Sequence, residues 1–123
     1  QNLFVRRSTP PNTGIHRIIM SKVEWSDEAR KNFRNTIRYI AYEFGKKAVR
    51  KFEANIAQWE NLIAMNPAMG PKEPLLQGLK REYRSVVVHR NCKLVYYAEG
   101  DTLYIADVWD TRREPRAQAD NLK

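Results

Sequence analysis

The sequence predicts an α+β domain: an N-terminal strand, a two-helix antiparallel hairpin, then a three-stranded antiparallel meander, with the helices packed on one face of the sheet. Three observations carry this. Residues 83–108 hold three short runs of β-branched and aromatic residues divided by polar breaks. Residues 26–66 hold two stretches whose apolar positions recur in steps of three and four. At 123 residues the chain makes one domain and is long enough to bury a real core.

The first strand is expected over 18–25, with Val23 and Trp25 on one face. Ser26 stands where an N-cap belongs, and Asp27 and Glu28 place negative charge in the first helical turn. Ala29, Phe33, Ile37, Ile40, Ala41 and Phe44 then trace one buried face, and Gly45 suits a left-handed C-cap. The second helix carries Val49, Phe52, Ile56, Trp59 and Ile63 and stops at Asn66-Pro67. Phe52 and Trp59 read as core rather than as a ligand platform. Residues 66–78 hold three prolines and two glycines and read as a loop with one helical turn near 75–79, tucking Leu75, Leu76 and Leu79 beneath it.

The meander strands are expected at 83–89, 93–98 and 102–108, joined at Arg90-Asn91 and at Glu99-Gly100-Asp101. Its second face should meet solvent, and residues 116–123 should fray. Residues 1–19, whose stretch Ser8–Gly14 (STPPNTG) holds neither a helix nor a central strand, read as a disordered or vector-derived extension ahead of a domain at 20–123.

The net charge of +8 points to a polyanion or an acidic partner, the plain alternative being solubility. A single cysteine, Cys92, excludes an internal disulfide and fits a reducing cytoplasm. No apolar run approaches the roughly 20 residues that span a bilayer, so no membrane association is expected. Two histidines and one cysteine give no zinc spacing, and no glycine loop cradles a phosphate. Neither metal nor cofactor is expected. Ser85 and His89 lie about 13 Å apart on an extended strand, which rejects a serine nucleophile.

Metal-free phosphodiester cleavage is the chemistry these residues permit. It needs cations to stabilise the charged phosphorane-like state and a group to move protons. Arg84, Lys93, Arg112 and Arg113 come from different strands or strand ends and could converge. Histidine is the side-chain type that changes charge near neutral pH, so His89 is the candidate proton carrier, an ordinary strand-end residue being the plain alternative. Lys80, Arg81, Arg90 and Arg113 would hold RNA. Against this, Arg84 reads equally as a solvated strand residue, and Arg112 and Arg113 as surface partners of Asp110 or Glu114.

Residues 20–123 resemble the RelE/ParE superfamily of type II toxin–antitoxin toxins. KVEWSDEA (22–29) is similar to that family's first strand and helix start. YRSVVVHRNCKLVYY (83–97) resembles its central hairpin, and GDTLYIADVWDTRREP (100–115) its last strand and following basic segment. The resemblance implies a compact α+β toxin neutralised by a cognate antitoxin that wraps the sheet and helices. Operator DNA would be reached only through that antitoxin. RelE-like members cut ribosome-bound mRNA without metal, whereas ParE-like members inhibit DNA gyrase. The positions matching the ribonuclease members are Arg84, Lys93 and Arg112, with Arg113 one residue away. Arg84 stands where those enzymes carry lysine, Lys93 where they carry arginine, and Val86 where a second basic residue lies. No tyrosine follows Pro115. Three readings follow: a messenger ribonuclease acting on the ribosome, a gyrase-directed protein inhibitor, or a degenerate member that only binds its antitoxin.

Overall fold

The computed structural model describes residues 20–113 and 115–123, together with the backbone of 5–6. In chain order it contains β1 (Val5–Arg6), β2 (Lys22–Trp25), α1 (Asp27–Phe44), α2 (Lys46–Met65), β3 (Arg84–His89), β4 (Cys92–Glu99), β5 (Thr102–Asp110) and α3 (Pro115–Asp120). The five strands form one sheet in the order β1-β2-β5-β4-β3. β3, β4 and β5 are the expected antiparallel meander. β2 joins it parallel to β5, with Val23 in register with Leu103 and Trp25 with Ile105. The long return through both helices makes that parallel pairing feasible. The start expected at residue 18 lies outside the described residues, as does most of the extension over 1–19.

Ser26 caps α1 as its sequence position requires: its hydroxyl accepts from the Ala29 amide at 3.0 Å and donates to the Ala106 carbonyl at 2.7 Å. One serine thus starts the helix and ties it to β5. Gly45 takes φ +90°, a value costly for any side chain. Its ψ of 179° departs from the expected left-handed helical cap, because the chain turns directly into α2 with no intervening loop.

The two amphipathic helices cover one face of the sheet. Phe33 packs between Trp25 at 5.2 Å and Phe52 at 5.9 Å, in a core that also holds Leu94, Tyr96, Leu103 and Ile105. Trp59 and Phe52 belong to this core, as their spacing predicts. Trp25 donates its indole N–H to the buried Glu60 carboxylate at 2.7 Å.

The second face of the sheet is not left to solvent, which corrects the sequence expectation. Leu76, Tyr83, Val95, Ala106, Trp109 and Ala119 form a second core there. Two 3-10 turns, Pro67–Met69 and Pro74–Leu76, fold the α2–β3 connection across the sheet. Leu76 is buried and Leu79 packs beside it, while Leu75 stays exposed. Nor do residues 116–123 fray. Ala119 is buried, and the Gln118 side chain brackets the backbone of Asp110 with two hydrogen bonds of 2.9 and 3.0 Å. Alternation along β5 hides this second surface from a sequence reader, since its members Ala106 and Trp109 straddle the polar Asp107. Among the described residues no helix is long and apolar enough to cross a membrane.

Candidate functional site

The sheet's β4-start and β5-end, together with α1 and α2, bound a groove of about 960 Å³. Its apolar lining comes from Ile40, Phe44, Phe52 and Val108, and its basic lining from Lys51, Arg90, Arg112 and Arg113. Four of the sequence-predicted site residues therefore meet here: His89, Arg90, Arg112 and Arg113. His89 sits edge-on to Phe52 at 5.8 Å and is exposed.

Arg112 is the most constrained of them. Its Nε and Nη2 donate to the two Asp110 carboxylate oxygens, each at 3.0 Å, in a forked pair. Its Nη1 donates to the Tyr39 hydroxyl at 2.8 Å, and the guanidinium lies 4.4 Å from that ring's centre. The Asp110 hydrogen bond, then Tyr39, raise the already high Arg112 pKa, and the same contact holds the Asp110 carboxyl below its ordinary value. Tyr39 in turn stacks edge-on against the exposed Phe44 at 6.4 Å. The groove mouth is thus a fixed arrangement of one guanidinium and two aromatic rings.

Arg84 and Lys93 do not join that cluster. Arg84 is in register with Tyr96, whose ring belongs to the helix-side core, so it starts on the helix side of the sheet. Its guanidinium donates to the Gly70 carbonyl at 2.7 Å and to Glu82 at 2.8 Å. It staples the α2–β3 connection, helped by the Tyr96 hydroxyl, which donates to the Pro67 carbonyl and accepts from the Gly70 amide. Tyr96 and Cys92, the latter paired with Asp110 beside the groove, stand four residues apart on β4. That puts about 13 Å of strand between Arg84 and the groove.

Lys93 points to the opposite face, over the Trp109 ring at 5.7 Å, and meets Glu73 at 2.5 Å. Glu73 is only 1% exposed and also accepts from Ser85 at 2.8 Å and from the Leu75 amide at 3.1 Å. Burial alone would push its carboxyl up; the Lys93, Leu75 and Ser85 hydrogen bonds outweigh it and bring the pKa down. Lys80 is exposed, and Arg81 lies over the Tyr97 ring at 4.7 Å, also away from the groove.

The residues that sequence reasoning missed are Tyr39 and Glu73. Tyr39 falls outside the apolar period of α1, an exposed aromatic whose purpose shows only when Arg112 arrives from 73 residues away. Glu73 sits in a proline-rich loop and gives no signal of burial.

A family model described as "ParE toxin of type II toxin-antitoxin system, parDE" matches residues 23–115. The chain belongs to that family of toxins. Solved structures agree on the fold. One, the chromosomal ParDE TA system from P. aeruginosa, shares 12% identity over 76% of this chain and 96% of that one, with a TM-score of 0.59. Another, the YoeB dimer from Staphylococcus aureus, shares 20% identity over 73% of this chain and 93% of that one, with a TM-score of 0.50. No curated protein matches this ParE-family toxin at the sequence level. Membership of a toxin–antitoxin family implies a cognate antitoxin as partner.

Proposed function

We propose that this ParE-family toxin acts by binding its target as a protein, with DNA gyrase as that target, and does not cut RNA. One observation carries the reading: Arg84, Lys93 and Arg112 are dispersed, and each is already matched to a carboxylate. A phosphate could not recruit Lys93 cheaply. Withdrawing it would strand a buried carboxylate, at about 3–5 kcal/mol. The groove suits a protein ligand better, with an apolar floor, two aromatic rings and a basic rim. The antitoxin, an acidic chain with an apolar face, would cover the same groove and so exclude the target. Operator DNA would be reached through the antitoxin alone.

The ribonuclease reading keeps one supporting observation, the meeting of His89, Arg90, Arg112 and Arg113 on a single groove. It would place mRNA on the ribosome against those residues. Two assays decide between them. Purified toxin should inhibit gyrase supercoiling and leave mRNA intact in primer extension from a translating extract. Cleavage at defined codons, with supercoiling unaffected, would overturn the gyrase proposal.

A further inference from the structure

The two edges of the sheet are protected unequally. At the β3 edge the connection before it lies alongside. The Ser85 amide donates to the Pro71 carbonyl at 3.1 Å, the Glu73 amide donates to the Tyr83 carbonyl at 2.9 Å, and Lys72 bridges to Arg84. A bulge between Val87 and His89 then breaks the register of that strand. Such devices prevent edge-to-edge pairing.

The β2 edge has a thinner cover. The Lys22 and Ser26 amides point to β5, reaching the Asp101 and Ile105 carbonyls. The period of two in a strand therefore turns the Val23 and Trp25 amides outward. Among the described residues only β1 pairs there, over two positions: Val5 with Val23, and Arg6 with Lys22. That two-residue pairing covers only part of the four-residue strand Lys22–Trp25.

A second copy of β2 fits better. In an antiparallel two-fold pairing centred on Val23, each Lys22 stands opposite the partner's position 24, a glutamate. Val23 meets its own counterpart on the buried side, while exposed Lys22 and half-buried Glu24 share the other. The pattern Lys-Val-Glu is self-complementary about its central residue, as an isologous contact requires.

We propose that the β2 edge is a latent self-association surface for a second copy of this chain, held closed in cis by Val5–Arg6. The strand exchange would couple the residues ahead of the toxin fold to its oligomeric state, independently of what the groove binds.

The test uses the full chain. Val5→Pro with Arg6→Pro removes two edge amides outside the family-matched span. By sedimentation, this variant should dimerise at concentrations where the wild type stays monomeric. Adding Glu24→Lys should raise the dimer Kd by about tenfold or more, and adding Lys22→Glu to that should restore it, since the charges are again opposed. Hydrogen exchange gives a second reading. The Val23 amide should lose protection in the dilute proline variant and regain it on concentration. A proline variant that stays monomeric would overturn the proposal. So would an equally dimeric wild type, or a dimer indifferent to Glu24→Lys.

Discussion

Lys93 of β4 reaches across to Glu73 at 2.5 Å, and that contact ties the α2–β3 connection to the sheet. The carboxylate is almost wholly buried, so the pair is unlike an exposed ion pair worth a fraction of a kcal/mol. Lys93→Met should cost about 3 kcal/mol, read as a lower urea midpoint with unchanged slope. Glu73→Gln in the same chain should recover part of it, because the stranded charge is gone. A fully additive double variant would show that the two residues act separately.

The same pair sets an acid dependence. The Glu73 carboxyl titrates lower in the folded chain than its ordinary 4.5, so the unfolded chain binds the proton more readily. The contribution to stability is therefore full above about pH 4.5 and lost as pH falls below it. Urea midpoints measured from pH 6 down to pH 3 should drop for the wild type. In Lys93→Met the drop should shrink, since its leading opposing hydrogen bond to burial is missing. An undiminished drop in the variant would place the acid sensitivity elsewhere.

Arg112→Ala should separate function from stability. Arg112 is partly exposed, so its pair with Asp110 contributes little to folding. The same side chain lines the groove, so its loss should weaken antitoxin binding by tenfold or more, measured by calorimetry. Tyr39→Phe keeps the ring and removes one hydroxyl contact, and should have a smaller effect. Arg84→Ala should do the reverse of Arg112→Ala. It should lower stability by about 1–2 kcal/mol through the Gly70 carbonyl and leave binding unchanged.

Why Lys93 and Arg84 part company shows what was legible in the sequence and what was not. Ser26, the steps of three and four from Ala29 to Ile63, and the break at Gly100 are local signals, and each produced the element it announced. The strands' residue types also placed Val23, Leu94 and Ile105 in the core. Which face a cation takes depends instead on parity and register. Lys93 is one residue from Leu94 and so leaves the helix side, whereas Arg84 pairs with Tyr96 and stays on it. The second core was hidden for a related reason. Leu76 and Ala119 lie far apart in sequence in segments with no periodicity, and they meet only because both pack on the same face of the sheet.

Gly70 is a packing requirement rather than a turn requirement. A β-carbon there would stand 2.6 Å from the Tyr96 hydroxyl and 2.9 Å from the Ser85 carbonyl. Its backbone is extended, so no strained dihedral is involved. Gly70→Ala should therefore destabilise by roughly 2 kcal/mol through overpacking alone, seen as a lower thermal midpoint. Combining it with Tyr96→Phe should return part of the loss by removing the hydroxyl. A neutral Gly70→Ala would mean that the connection shifts freely over β3, contrary to the hydrogen bonds that Arg84 and Tyr96 make with it.

Cys92 offers a probe of the groove floor. The thiol is buried in the helix-side core, and burial, with the nearby Asp110 carboxylate, pushes its pKa to about 12. Only the thiolate attacks an alkylating reagent, so at pH 8 roughly one molecule in ten thousand would be reactive even with free access. Iodoacetamide should thus label the native chain at least a hundredfold more slowly than the chain in guanidinium. Because β4 begins at Cys92 and pairs there with Asp110, opening the groove should expose the sulfur. Bound antitoxin, by closing the groove, should slow native labelling further. Labelling at the rate of the unfolded chain would show that this end of the sheet opens readily, and the fixed Arg112 arrangement would then fail with it.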